Sequence, residues 1–187
     1  MIKRLFDLTA AVILLICLSL TFLIIALFIK LTSKGPVLYW SARVGNGNKI
    51  FKMAKFRTML VGVPTVATHL LTDAQRYITP IGSFLRKFSL DELPQLFNII
   101  SGDMTFVGPR PALFNQDDLI ELRTKRNVHT LTPGVTGWAQ INGRDELPIP
   151  AKVEFDAYYL KNKSLLLDAK ILFITVFKVI KKDAVSH

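Results

Sequence analysis

Hydrophobic and polar positions change rhythm several times along this chain. From Leu8 to Ile29 no charged residue occurs, and a helix of that length reaches ~33 Å, enough to cross the hydrocarbon core of a bilayer. The run is too long for the apolar region of a signal peptide, and no small-residue cleavage site follows it. Ser19 lies near its middle and can bond back to the helix backbone, favouring a bend. No Pro or Gly interrupts the run, so the pattern alone leaves a spanning helix and a re-entrant one equally open. Basic residues flank both ends, Lys3 and Arg4 before and Lys30 and Lys34 after, which favours two cytoplasmic ends.

Beyond a turn-rich exit at Thr32–Pro36, the segments 37–43 and 50–56 read as strands. Gly45-Asn-Gly-Asn48 supplies the positive φ angles of a hairpin between them. Residues 58–80 read as a loop broken at Pro64 and Pro80, and 81–88 as a short helix carrying Arg86 and Lys87. The charged stretch 117–127 predicts a helix with a solvated face, and 131–144 a loop with glycines and scattered polar groups. A final helical pattern starts near Asp168. Its apolar bulk and lysine fringe suit both a core helix and one lying in a membrane interface.

Charge sharpens that picture. The 187 residues hold 24 Lys+Arg against 14 Asp+Glu, a net charge of +10, and half of them are hydrophobic. High charge together with high hydrophobicity fits an anionic membrane surface better than a soluble nucleic-acid binder. The single cysteine, Cys17, rules out an internal disulfide. No zinc spacing and no Ser/His/Asp signature is evident.

The candidate chemistry sits in Lys87-Phe-Ser-Leu-Asp-Glu-Leu-Pro-Gln-Leu-Phe-Asn-Ile-Ile100. Ser89 and Glu92 have the spacing of a capping box, and Pro94 is tolerable only in a first helical turn. The adjacent carboxylates Asp91 and Glu92 are therefore expected where a helix begins, a position that keeps a carboxylate ionised and attracts phosphate. An ionised Asp there can attack a phosphoryl group, and its neighbour can help to hold a divalent cation. Arg110 is bracketed by Pro109 and Pro111, which present a planar five-donor fork with little freedom. Arg144, at the end of the glycine-containing loop, adds another anion ligand.

Lys55-Phe-Arg-Thr-Met59, the block 84–98, Gly102-Asp-Met-Thr-Phe-Val-Gly-Pro-Arg-Pro111 and Pro133-Gly-Val-Thr-Gly-Trp-Ala-Gln-Ile-Asn-Gly-Arg144 follow one another in order. Together they strongly resemble the bacterial sugar transferases, the monotopic polyprenol-phosphate phosphoglycosyl transferases, over nearly the whole chain. The resemblance implies an α+β, mostly helical fold. Residues 1–31 would be a re-entrant helix-break-helix in the membrane, and 32–187 a cytosolic-face catalytic domain with a small β-hairpin and interfacial helices. It implies transfer of a sugar-1-phosphate from a UDP-sugar to undecaprenyl phosphate at the bacterial inner membrane, giving a polyprenol diphosphosugar and UMP, as the first membrane step of glycan assembly. Asp91 matches the family's nucleophile and Glu92 its partner, the pair associated with Mg²⁺. Lys55, Arg86, Arg110 and Arg144 match phosphate-facing positions, and Asp168 a third, supporting acidic residue. Membrane lipid is an implied partner and nucleic acid is not.

The chain departs from the family pattern twice: Leu20 follows Ser19 where the family has Pro, and 60–71 is mostly apolar where acidic residues are usual. A different class, a membrane-anchored basic module or inactive scaffold without catalysis, would share the charge and the anchor. Paired acids beside arginines speak against it, because carboxylates repel a phosphate backbone.

Overall fold

A computed structural model describes residues 2–63, 74–143 and 147–180. Arg144 and positions 64–71 of the apolar loop lie outside the described residues, as does the end of the chain from Lys181.

The uncharged run forms two helices, α1 (Ile2–Cys17) and α2 (Ser19–Thr32), bent by 61° at Leu18. Neither is by itself long and apolar enough to cross a membrane; the bent pair together has the length and composition for it. The bend needs no proline. Leu18 relaxes to φ −94°, ψ 4°, while its N–H still reaches Leu14 O at 2.9 Å and its carbonyl still receives Phe22 N at 2.9 Å. One residue thus absorbs the change of direction without orphaning its own backbone groups.

Each helix turns one face to the rest of the protein. Ala11 of α1 packs with Met53, Leu96, Ile99 and Met104, and Ile25 and Ile29 of α2 pack with Phe56 and Leu85. Burying Ile29 alone is worth about 1.5–3 kcal/mol. The opposite faces are equally apolar yet exposed: Leu5, Phe6, Ile13 and Ile16 on α1, and Leu20, Leu23, Leu27 and Leu31 on α2. Polar anchors pin the pair at both ends. Lys3 Nζ lies 2.6 Å from Asp168 Oδ2, Arg4 donates to the carbonyls of Ile99 and Ile100, and Thr105 Oγ1 donates to the buried Asp7. At the far end, Arg57 Nη2 donates to Ser33 O at 3.1 Å and its Nε to Pro36 O at 2.6 Å.

The expected hairpin forms, β1 (Leu38–Val44) against β2 (Ile50–Phe56), with Leu38 opposite Phe56 and Val44 opposite Ile50. Gly47 and Asn48, at φ 62° and 60°, close it. A short β4 (Ala112–Leu113) extends this sheet on the β1 side. A second, parallel pair joins β3 (Thr105–Val107) to β5 (Gly134–Thr136), so the segment expected as a loop over 131–144 contains a strand and a short helix, α6 (Trp138–Ile141). Strands of three residues are too short to show alternation, and parallel pairing is invisible locally.

Helices α3 (Gly82–Lys87), α4 (Gln95–Ser101), α5 (Asp117–Lys125), α7 (Ile149–Asn162) and α8 (Leu165–Ile180) complete the fold. The solvated face expected of α5 carries Asp117, Asp118, Glu121 and Lys125, but Arg123 lies off it, buried and clasping Asp156 of α7 at 2.6 Å. A charged side chain leaves water this way only with a close counter-charge, and that partner lies 33 residues away.

Candidate active site

The carboxylate pair sits in a tight 3₁₀ turn, Leu90–Glu92, not in the first turn of the following helix. The expected capping box is absent. Ser89 adopts a left-handed φ of 55° and makes no side-chain cap bond, whereas capping needs an extended backbone there. Pro94 then starts the chain into α4, whose first residue is Gln95. The carboxylates are thus held by packing rather than by a helix terminus.

Asn98 does much of that holding. Its Oδ1 accepts from Ala54 N and its Nδ2 donates to Lys52 O, both at 2.8 Å. The carboxamide replaces a neighbouring strand along the free edge of β2, locking α4 to the strand that carries Lys55. Lys55 Nζ consequently reaches Glu92 Oε1 at 2.8 Å and lies 3.5 Å from Asp91 Oδ2.

Arg110 meets the same oxygen, its Nη2 at 2.6 Å from Glu92 Oε1. Three consecutive carbonyls around it are bonded: Pro109 O accepts from Gly134 N at 2.9 Å, Arg110 O from Arg123 Nη1 at 2.8 Å, and Pro111 O from Arg43 Nη1 at 3.2 Å. A Cβ on Gly134 would come within 2.1 Å of Gly108 N, so only glycine lets the two backbones approach closely enough to brace this segment. Arg86 Nε donates to Thr58 Oγ1 at 3.1 Å, and its charge is felt by Asp91.

The two acids are tuned apart. Burial raises the pKa of Asp91, which is 7 % exposed, and the charge of Glu92 adds to the rise; Lys55, Arg86 and Arg110 oppose it. Burial also acts to raise Glu92, but Arg110 and Lys55 prevail and hold its carboxyl well below the usual range. Glu92 is therefore a fixed anion clasped by two cations, and Asp91 a more basic carboxylate beside it. Burial lowers the pKa of Arg86, with Asp91 opposing.

Of the residues singled out in the sequence, Lys55, Asp91, Glu92 and Arg110 are brought into direct contact, with Arg86 inside their electrostatic reach. Asp168 keeps other company: it is buried between Lys3 and the hydroxyl of Tyr159, which donates to it at 2.6 Å. Burial, and then Asp168 itself, push the Tyr159 phenol far up, so it stays a neutral donor. No cluster of three or more metal-ligating side chains occurs among the described residues. The supports Asn98, Arg123 and Asp156 carry no local signal, because each acts on a partner distant in the chain.

The sequence profile of the bacterial sugar transferases matches residues 1–182. The chain is 43% identical over 188 residues to the uncharacterized sugar transferase EpsL of Bacillus subtilis (strain 168), covering all of this chain and 91% of that one. It is 41% identical over 187 residues to the UDP-glucose:undecaprenyl-phosphate glucose-1-phosphate transferase of Escherichia coli (strain K12), and 40% identical over 181 residues to the UDP-N-acetylgalactosamine-undecaprenyl-phosphate N-acetylgalactosaminephosphotransferase of Aeromonas hydrophila. Those matches take in 95% and 94% of this chain but only 40% and 43% of the two relatives, so it spans less than half the length of either. With a profile match over nearly its full length, the chain belongs to the bacterial sugar transferase family.

Proposed function

We propose that this protein transfers a sugar-1-phosphate from a UDP-sugar to a polyprenol phosphate, undecaprenyl phosphate in bacteria, through a covalent intermediate on Asp91. The observation that carries the reading is the division of labour in the carboxylate pair: Glu92 is neutralised by Lys55 and Arg110, while Asp91 is buried and more basic than usual. An Asp91 oxygen attacks the β-phosphorus of the donor. The Oδ–P bond forms, the bond from phosphorus to the bridging oxygen breaks, and its electron pair leaves on UMP. The polyprenol phosphate then attacks the same phosphorus and returns Asp91 as a carboxylate. Lys55, Arg86 and Arg110 neutralise charge on the phosphoryl oxygens, which is most of what phosphoryl transfer requires.

Adjacent hard oxygen donors suit Mg²⁺, which is commonly held by one or two carboxylates and the substrate's own phosphates. Glu92 would hold it with Asp91, since the contact of Glu92 Oε2 with Arg110 Nη1 is a long one, 3.4 Å. When bound, the ion would neutralise phosphate charge.

The same reading puts the helix pair in the membrane as a re-entrant element. At 16 and 14 residues, α1 and α2 reach only ~24 and ~21 Å, short of a ~30 Å hydrocarbon core. The start of α1 and the end of α2 are both bonded to the catalytic part, which favours entry and exit on one side. That side is the cytosolic one, where nucleotide sugars are made.

Asp91→Asn is expected to abolish UMP release by at least about 10³-fold while leaving the thermal unfolding profile intact. A UDP-sugar panel with polyprenol phosphate and Mg²⁺ is the assay, and it also identifies the donor. Turnover by the variant at the wild-type rate would remove Asp91 as nucleophile.

A further inference from the structure

Beside the carboxylate pair lies a cleft of about 80 Å³ lined by Arg43, Arg110, Gln116, Arg123, Gln140 and Lys152 among others. No carboxylate is among its described lining residues. Asp156 pairs with Arg123 and also feels the charge of Lys152; four cationic side chains in all line the concave surface. Arg110 belongs to both places: it clasps Glu92 and lines the cleft. Gln140 adds an independent observation. Both polar atoms of its carboxamide are buried, and neither has a hydrogen-bond partner among the described residues. A buried donor and acceptor left unmet costs free energy unless a ligand meets them.

We infer that this cleft receives the nucleotide that departs in the transfer, the cations taking its phosphate and the Gln140 carboxamide a neutral donor–acceptor edge of the nucleoside. The inference rests on the transferase reading and extends it to the leaving group. When the bond from the β-phosphorus breaks, the electron pair settles on an α-phosphate oxygen of UMP, and Arg110 and Lys152 face that charge. A uracil imide, with one N–H flanked by carbonyls, matches a carboxamide edge to edge. Gln140 and Lys152 are then specificity-determining residues for the donor, and neither touches the phosphoryl group that is transferred.

The test is UMP titration into the full-length detergent-solubilised protein by calorimetry, with uridine and inorganic phosphate as further probes. Lys152→Met is expected to weaken UMP about tenfold, the loss expected of one charge-assisted bond, with no change for uridine. The near-isosteric Gln140→Glu is expected to weaken both UMP and uridine by at least about tenfold, because a carboxylate loses the amide donor and sets an anion against a uracil carbonyl. Lys161→Met, on the exposed side of α7, is the control for overall charge and keeps wild-type affinity. In turnover, Lys152→Met raises the donor KM and leaves the polyprenol-phosphate KM unchanged. Wild-type UMP affinity in both cleft variants, in an enzyme that turns over UDP-sugar, overturns the inference and spares the transferase reading. Loss of UMP affinity in both variants of a protein that turns over no UDP-sugar supports the cleft and overturns the transferase reading.

Discussion

Lys55 touches both acids, and its effect on each can be separated by pH. As the proposed nucleophile, Asp91 would attack only when ionised, so on that proposal activity is present above its pKa in the folded protein and is lost as pH falls through that value. Burial raises that value from its ordinary one, and Lys55 is the strongest of the charges pulling it down. Lys55→Met is therefore expected to move the acid limb of the rate profile to higher pH, besides lowering the plateau. An unmoved midpoint would mean that a group other than Asp91 governs the limb. At this scale the sequence was generous: Lys55, Arg86, Asp91, Glu92 and Arg110 all stand in recognisable blocks. Arg123 was not legible, because a basic residue in a charged helix reads as solvated until its distant partner Asp156 is known.

Between elements, the joint that decides the site is the one from α4 to β2. Asn98 meets two backbone groups of β2 at 2.8 Å each. Replacing it with Leu strands a buried N–H and a carbonyl, at about 1–3 kcal/mol apiece. Asn98→Leu is expected to lower stability by about 3 kcal/mol, read by thermal or denaturant unfolding, and to reduce transfer further than the unfolded fraction explains. A loss under 1 kcal/mol would show that water or relaxation satisfies those groups. The hairpin and α3 were legible because their periodicity is local. The parallel pair β3–β5 and the true start of α4 were not, since the left-handed Ser89 defeats a cap the sequence spells out.

For the whole molecule, the decisive feature is that the bent helix pair is fastened at both ends to one body while its outer faces stay apolar. In a Cys17→Ser background, single cysteines at the exposed positions Ile2 and Leu31 should react with a membrane-impermeant maleimide from the same side of sealed vesicles. Reaction from opposite sides would establish a spanning helix. On the proposed membrane reading, the second exposed apolar face, Leu166, Phe173 and Phe177 on α8, would extend the surface offered to lipid. Composition pointed to a membrane surface, but only the tertiary bonds of Lys3, Arg4 and Ser33 speak to the geometry of the helix pair.

Arg4 caps the carbonyl end of α4, while the acids precede its other end. Seven residues of helix, ~10 Å of rigid rod, thus act as a gauge block between anchor and chemistry. On the proposed reading, an acceptor whose headgroup stays at the lipid surface would meet Asp91 at a set elevation, and the protein would not have to lift a greasy substrate out of the bilayer.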